Sequence, residues 1–493
     1  MLLNEVLTQH AQRHPAKVAV IAGERQMTFA QLDYAVDCMA HHLLDRGLQH
    51  GDRVAIHAYN SIEMVVLMLG AFRAGLIAVP VNPRMKAPEI AYVLEHSGAQ
   101  ICFSEPALAP LVDGAEVIGA LPEAKETRTP LPLASPDAPA ILLYTSGTTA
   151  RPKGVIHTQR TLFEGSKAIV PGSITPADIC LATTQLSHAS GLICAYIPGL
   201  IQGATVVLLR SFNPAAVLDL IERHACSFMF SLPAGLQQIV EEQVSTPRDI
   251  SSMRLIAAGG DTVPVALQRR VLDLFHIEVR EGCGMTEVVP TAFNPHGAAR
   301  AGSIGTAPEG FSLRVIDERG NDVEPGEIGE LILRSPANCI GYWNDPDATM
   351  KLLRHGWLHT GDLVTCDEDG YYWFKGRLKQ IIIRSGSNIA PQEVEEALCQ
   401  HPAVFEAGVV GLPDPKFGEL PVAFVSLREA QYSSQDDLLS HARTMLSEYK
   451  VPAKVYFLNA LPKGLTGKVD RRRLRDMLLA DTELLESEIV SRV

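Results

Sequence analysis

Short apolar runs alternate with longer helical periodicities along most of this chain, and that alternation narrows its possible folds more than anything else. Apolar positions at Leu3, Val6, Leu7 and Ala11 predict a helix over Leu2–His14. A strand at Val18–Ala22, a turn at Gly23–Glu24 and an extended Met27–Phe29 follow, and Thr28 is placed to cap a helix over Ala30–Gly47. Strand Arg53–His57, helix Ser61–Gly75 and strand Ile77–Pro80 continue the pattern. Ala107–Pro136, rich in Pro, Ala and Glu, reads as a surface connection. A second alternation runs through Asp178–Thr184, helix Ile193–Gln202, strand Thr205–Leu209, helix Pro214–His224, strand Ser227–Ser231 and helix Pro233–Val244. Strands separated by helices build parallel sheets covered on both faces, so a doubly wound α/β architecture is expected.

From Gly302 the pattern changes to short strands with turns at Glu318–Gly320, Pro325–Gly326 and Asp367–Gly370, which predicts an antiparallel or β-barrel-like lobe. Lys375–Leu378 ends the last of these strands and Gln392–Gln400 begins a new helix. The remainder has its own α+β pattern, with strands Ala407–Gly411, Pro421–Leu427 and Lys454–Phe457 and helix Ser434–Leu446.

At 493 residues the chain has room for two or three domains. Its formal net charge of -13 argues against a nucleic-acid binder, which needs a basic face. The most apolar stretch, Ile62–Val81, is interrupted by Glu63 and Arg73 and reads as a buried helix running into a strand, not as a membrane span. The opening MLLNEVLTQHAQRHP is amphipathic and lacks the design of a signal peptide. Nine cysteines without a CxxC pair suggest neither a zinc site nor a disulfide frame, so a soluble, cytoplasmic protein is expected.

Between the two alternating regions lies Tyr144–Gly154, YTSGTTARPKG, entered from the apolar run Ala138–Leu143. Thr145, Ser146, Thr148 and Thr149 surround Gly147, with Arg151, Pro152 and Lys153 behind them. Hydroxyls, backbone N–H groups freed by glycine and a nearby cation make a phosphate cradle. It is not the Walker pattern, because Gly154 follows Lys153 where a Ser or Thr would hold Mg²⁺. Further on, after a strand expected over His276–Arg280, Gly282, Cys283, Gly284 and Met285 lead into Thr286 and Glu287, whose hard oxygens suit Mg²⁺. A bare Thr-Glu pair is otherwise a helix cap. In Trp357–Leu363, WLHTGDL, Asp362 follows a Thr-Gly turn, and its two carboxylate oxygens can accept from both hydroxyls of a ribose. GRLK at Gly376–Lys379, AAGGD at Ala257–Asp261, His188 in QLSHASG and Lys468 in PKGLTGKVD complete the set. GxSxG, HExxH, GxGxxG and kinase motifs are absent, which leaves a hydrolase or dehydrogenase without support.

In this order, the stretches resemble the motifs of the adenylate-forming superfamily, which includes acyl-CoA synthetases, peptide-synthetase adenylation domains and luciferases. The chain is identified as a member of its acyl-CoA synthetase, or AMP-dependent carboxylic acid ligase, branch, over nearly its whole length. The resemblance implies a large N-terminal portion over 1–376, a hinge at 377–380 and a small mobile α+β C-terminal domain over 381–493. It assigns the Thr145–Thr149 loop and Lys153 to the β- and γ-phosphates of ATP, and Glu287 with Thr286 and Thr145 to Mg²⁺. Gly259, Gly260 and Asp261 form the segment against which adenine lies. Cys283 stands where the family has an aromatic residue that stacks on adenine. Asp362 and Arg377 fall on the ribose side, Lys379 at the hinge, His188 at the mouth of the acyl pocket, and Lys468 at the catalytic lysine. Gln185 and Ser187 depart from the Pro and aromatic residue that often precede that histidine.

The implied chemistry is attack of a carboxylate on the α-phosphorus of ATP, loss of pyrophosphate, and transfer of the acyl group from the acyl-adenylate to a nucleophile. The small domain would swing about Lys379 between the two steps, withdrawing Lys468 and bringing in the loop Ser385–Val394. A chain without a carrier domain favours coenzyme A as acceptor. Transfer to an amine, giving an amide, or to a separate carrier protein are the alternatives, and a non-catalytic adenylate binder is the reading from another class. Luciferase-type oxidation has no specific residue behind it. The residues around Phe230–Leu232, Ala257–Gly260 and Gly282–Met285 mix small and apolar side chains and suit a medium-sized apolar acid. Homodimers are common among such enzymes.

Overall fold

A computed structural model describes residues 2–123, 131, 135–145, 152–384, 387–464 and 468–480. Six parallel strands run through the centre of an eight-stranded sheet. From one edge the order is Val288–Phe293, Val279–Met285, Leu255–Gly259, Phe228–Ser231, Ile179–Ala182, Thr205–Leu208, Val18–Ala22 and Arg25–Thr28, the two edge strands being antiparallel. A second sheet has seven strands, ordered Gly341–Tyr342, Lys153–Thr158, Pro139–Thr145, Ile77–Val81, Arg53–His57, Ile101–Ser104 and Glu116–Val117. Its last five strands are parallel and its first two join antiparallel.

The expected doubly wound α/β layers are therefore present. One continuous apolar core takes Val20, Val206 and Phe228 from the first sheet and Ile56, Ala78 and Ile141 from the second. Helix Ile62–Arg73 lies in that core, buried from Met64 to Phe72, as its nearly unbroken apolar run requires. A second core under the first sheet is roofed by helices Pro214–His224, Pro233–Ser245 and Val265–Phe275. The strand Val18–Ala22 pairs with Arg25–Thr28 on one side and with the distant Thr205–Leu208 on the other, and so joins the first sheet and not the second sheet of Arg53–His57.

The short-strand region forms a five-stranded sheet in the order Ser312–Ile316, Gly329–Arg334, Trp357–Cys366 and Leu353–Arg354, with Tyr372–Arg377 also on Trp357–Cys366. Among the described residues no pairing joins its two edges into a barrel. The last sheet is built from Ile382–Arg384, Ser387–Ile389, Val404–Asp414, Gly418–Leu427 and Lys454–Phe457, covered by helices Pro391–Cys399 and Gln435–Met445. Contacts divide the chain into two compact units, one of Met1–Leu313, Leu333–His359 and Asp369–Tyr372, the other of Arg314–Ile332, Thr360–Glu368 and Trp373–Val493.

Two local expectations are corrected. The helix expected over Ile193–Gln202 is a π-helical turn at Leu192–Tyr196 followed by an α-helix at Ile197–Gln202. Pro198 has no N–H to give the carbonyl four residues back, and the register widens just before it, with Ile197 N–H bonding Leu192 O. The strand expected over His276–Arg280 begins at Val279 and runs to Met285, because His276 takes a left-handed conformation (φ 57°) to end helix Val265–Phe275.

Candidate active site

Four neighbouring parallel strands, Ile179–Ala182, Phe228–Ser231, Leu255–Gly259 and Val279–Met285, end on one side of their sheet. Ligands of open parallel sheets bind beyond the carboxyl ends of such strands. His188, Leu232, Gly259–Asp261 and Gly282–Met285 all lie at or just after these ends, although nearly a hundred residues separate the first from the last. Gly259 pairs directly with Gly282, and a Cβ at Gly259 would lie 2.2 Å from Gly282 O. Gly260 has φ +85°, which lets the chain turn away there. The following loop is pinned by the buried carboxylate of Glu281, which accepts from Val263 N at 3.0 Å and Gln268 Nε2 at 2.7 Å. Cys283 is half-buried on its strand, opposite Ala292.

Thr286 and Glu287 are not a helix cap. They are the two-residue tip of the hairpin that pairs Met285 with Val288. The tip is held from below: His157 Nε2 donates to Thr286 O at 2.7 Å, while its Nδ1 lies 2.9 Å from the Thr161 hydroxyl. Complete burial pushes the His157 pKa down to about 4, so the ring is neutral. The Glu287 carboxylate is itself buried, and Tyr342 Oη donates to its Oε1 at 2.5 Å. Burial and the Glu287 charge raise the Tyr342 pKa, which keeps the phenol a donor.

Thr145 and Lys153 face each other across a second hairpin, at the ends of strands Pro139–Thr145 and Lys153–Thr158. Ser146, Gly147, Thr148 and Thr149 lie outside the described residues. A strand, Lys153–Thr158, follows here, and a helix begins only at Gln159. Lys153 Nζ sits 4.6 Å from the Tyr342 ring centroid and 3.4 Å from Asp345 Oδ2. Helix Ala87–Ser97 braces both limbs of this hairpin. Tyr92 Oη donates to Pro152 O at 3.0 Å, and His96 Nδ1 lies 2.9 Å from Tyr144 Oη.

His188 follows a turn in which its N–H donates to Gln185 O. The Asn82 amide reaches its Nε2 at 3.0 Å, which places the proton of the neutral ring on Nδ1. Burial brings the His188 pKa down to about 4. Among the described residues the buried Ser187 hydroxyl and Gln185 Oε1 beside it have no hydrogen-bond partner.

In the second unit, Thr360 Oγ1 donates to Leu331 O at 2.7 Å and accepts from Asp362 N at 3.0 Å, while Gly361 N donates to Glu330 Oε1 at 3.1 Å. This turn presents a buried carboxylate, Asp362, with Arg377 Nε 2.9 Å from its Oδ1. Among the described residues Oδ1 has no well-formed hydrogen bond beside this ion-pair contact. Burial raises the Asp362 pKa, opposed first by the charge of Arg377 and then by that of Lys468. A buried carboxylate with an unfilled acceptor fits paired hydroxyl donors such as those of a ribose. The backbone of Lys379 lies in the 3₁₀ turn Leu378–Gln380; its side chain is outside the described residues.

The family model for AMP-binding enzymes matches residues 7–343, and that for the AMP-binding enzyme C-terminal domain matches 393–468. The chain belongs to the AMP-binding enzyme family. It is 35% identical over 471 residues to the sulfoacetate–CoA ligase of Cupriavidus necator, covering 91% of this chain and 92% of that one. It is 35% identical over 483 residues to a feruloyl-CoA synthase of an Amycolatopsis species, covering 95% and 97%. The crystal structure of the anthranilate CoA ligase AuaEII in complex with anthranoyl-AMP superposes with a TM-score of 0.90 at 28% identity, covering 97% and 98%.

This AMP-binding enzyme therefore carries the adenylate-forming fold and uses ATP. Residues that the sequence reading passed over support its motifs: His157 and Tyr342 under Thr286 and Glu287, Asp345 beside Lys153, Glu281 behind Gly259–Asp261, and Asn82 on His188. Tyr342 and Asp345 sit in GYWNDP, a glycine turn leading to a proline at a helix start, which looks like ordinary punctuation. Among the described residues no cluster of three or more His, Cys, Asp or Glu is assembled for a metal, and no helix is long and apolar enough to cross a membrane. Magnesium ordinarily takes one or two carboxylates together with nucleotide phosphates, and the Glu287 donor set fits that mode.

Proposed function

We propose that this enzyme activates a carboxylic acid with ATP and passes the acyl group to coenzyme A. In the first step a carboxylate oxygen of the acid bonds to the α-phosphorus, the bond to the bridging β-oxygen breaks, and pyrophosphate leaves. In the second, the sulfur of coenzyme A bonds to the acyl carbon, AMP leaves, and the thiol proton is lost to solvent.

Both first-step reactants are anions, so the chain must offset charge while it holds them in line. Lys153 and the Thr145–Thr149 loop hold the β- and γ-phosphates. Glu287, with Thr286 and Thr145, holds Mg²⁺, which when bound would neutralise phosphate charge. Gly259–Asp261 and Gly282–Met285 form the adenine face, with the Cys283 thiol in place of an aromatic ring. Asp362 accepts from the ribose hydroxyls, and Arg377 balances its charge. Lys468 bridges the carboxylate and the α-phosphate. His188 stands at the acyl mouth. Residues 1–376 form the large domain, 377–380 with Lys379 the hinge, and 381–493 the mobile domain. The buried Phe230, with Leu232 and Ala257, favours a medium-sized apolar acid.

The observation that supports this reading best is the buried Asp362 carboxylate with Arg377 Nε 2.9 Å from its Oδ1, which joins two motifs suited to one ribose and its phosphate. The test is a mass-spectrometric product screen with ATP, Mg²⁺ and pooled carboxylic acids, run with coenzyme A, with amino acids and with neither. A thioester in the coenzyme A wells alone supports the proposal. Amides without thioester move the enzyme to the amide-forming branch, and absence of AMP and pyrophosphate in every well defeats the catalytic reading.

A further inference from the structure

We infer that Tyr342 is a positioning residue that sets Glu287 and Lys153 in one geometry, so that the metal-side carboxylate and the phosphate-side cation act as a unit. The inference rests on the roles proposed above for those two residues. Its hydroxyl end and its ring are engaged separately. The hydroxyl donates to Glu287 Oε1 at 2.5 Å, and Lys153 Nζ lies 4.6 Å from the ring centroid.

A glutamate at the tip of a two-residue turn has three rotatable bonds and little of its own turn to hold it. A hydrogen bond from a rigid phenol restrains where its carboxylate can point. Groups that orient a metal ligand in this way change metal affinity strongly when they are removed. Lysine is a compact charge on a flexible four-carbon stem, and it has no fork that would set its direction. The face of Tyr342 and the Asp345 carboxylate, at 3.4 Å, supply that direction.

Tyr342 is itself held by the two motifs it connects. Its short strand pairs with Val155 and Ile156, directly after Lys153 and Gly154. Trp343 N donates to Gly154 O at 2.8 Å, and Cys339 N donates to Glu287 O at 2.8 Å. Tyr342 N donates to Thr349 Oγ1 at 2.9 Å, which anchors it to the helix that Asp345 caps. Five residues of backbone thus touch the phosphate hairpin on one side and the Glu287 hairpin on the other. The aromatic side chain makes the same connection between their functional groups.

Two variants separate the two engagements. Tyr342→Phe keeps the ring and removes the hydroxyl, and Tyr342→Leu removes both. Calorimetric binding of ATP to the full chain without any acid, in Mg²⁺ and in EDTA, reads positioning without turnover. Pyrophosphate release against Mg²⁺ concentration gives the parallel kinetic measure. For Tyr342→Phe the Mg²⁺ concentration giving half-maximal effect rises about tenfold, while ATP affinity in EDTA is unchanged. For Tyr342→Leu, ATP affinity in EDTA falls about fivefold as well, from loss of the cation–π contact.

A Phe variant with the Mg²⁺ dependence of the wild type overturns the inference, as does one that loses ATP affinity equally in both media. Wild-type protein that binds no ATP in either medium defeats the adenylation reading and takes this inference with it. Wild-type binding alongside an unshifted Phe variant defeats the inference alone. The Phe substitution is nearly isosteric, so the test stands even where the Leu variant does not fold.

Discussion

Arg471 clasps Glu395 through two atoms: its Nε donates to Oε1 at 3.0 Å and a terminal nitrogen donates to Oε2. Glu395 is a buried residue of helix Pro391–Cys399, and its Oε1 also accepts from Val409 N at 2.7 Å. Arg471 opens helix Arg471–Ala480, three residues past Lys468. Between them Asp470 caps that helix, accepting from Arg473 N at 3.1 Å, and its own N–H donates to Pro462 O at 2.8 Å. The pair therefore fastens the segment that bears Lys468 to the body of the last sheet. Glu395→Gln is expected to cost about 1–3 kcal/mol of stability, because it leaves a half-buried guanidinium with a weaker partner. The denaturant midpoint measures this, and an unchanged midpoint would show that the clasp contributes nothing.

Lys468→Ala should lower the rate of acid-dependent pyrophosphate release by about 10²–10³, as removal of a preorganised charge donor does elsewhere. Thioester formation from supplied acyl-adenylate should fall far less, since no negative charge develops on phosphorus in that step. Equal losses in both half-reactions would remove Lys468 from the proposed role.

Acid should unfold this protein through its buried histidines. His157 and His188 titrate near 4 when folded and near 6.5 when exposed. Below 6.5 the unfolded chain takes up protons that the folded chain refuses. Each residue's contribution is therefore complete above pH 6.5, declines as pH falls, and is exhausted near pH 4. The full effect is about 3 kcal/mol per histidine. Urea midpoints at pH 8, 6 and 5 should decline in step, and His157→Gln should flatten the decline.

Gly259→Ala tests the close approach of two strands beneath the proposed adenine face. The added Cβ would meet Gly282 O at 2.2 Å, and that oxygen is backbone, which cannot swing aside. A loss of about 1–3 kcal/mol in stability is expected, with weaker ATP binding by calorimetry. Wild-type values for both would show that the strands separate freely.

The alternation of strands and helices was legible in the sequence because amphipathic periodicity is local: Lys454–Phe457 needs only its own four residues and their neighbours to be seen. The order of the motifs was legible for the same reason, since glycine turns and their flanking hydroxyls and carboxylates are written contiguously. The pairing of Val18–Ala22 with Thr205–Leu208 was not, because an apolar strand fits the edge of either sheet and only the competition among all strands selects one. Thr286 and Glu287 read equally as a helix cap until strand Val288–Phe293 folded back to make them a hairpin tip. The sequence by itself determined which chemical groups this protein carries and the elements that bear them. The tertiary structure alone decided that Tyr342 should reach Glu287 across 55 positions of chain, and that His157 should stand buried and neutral beneath Thr286. Such contacts depend on distance in space, and no local pattern of residues encodes that distance.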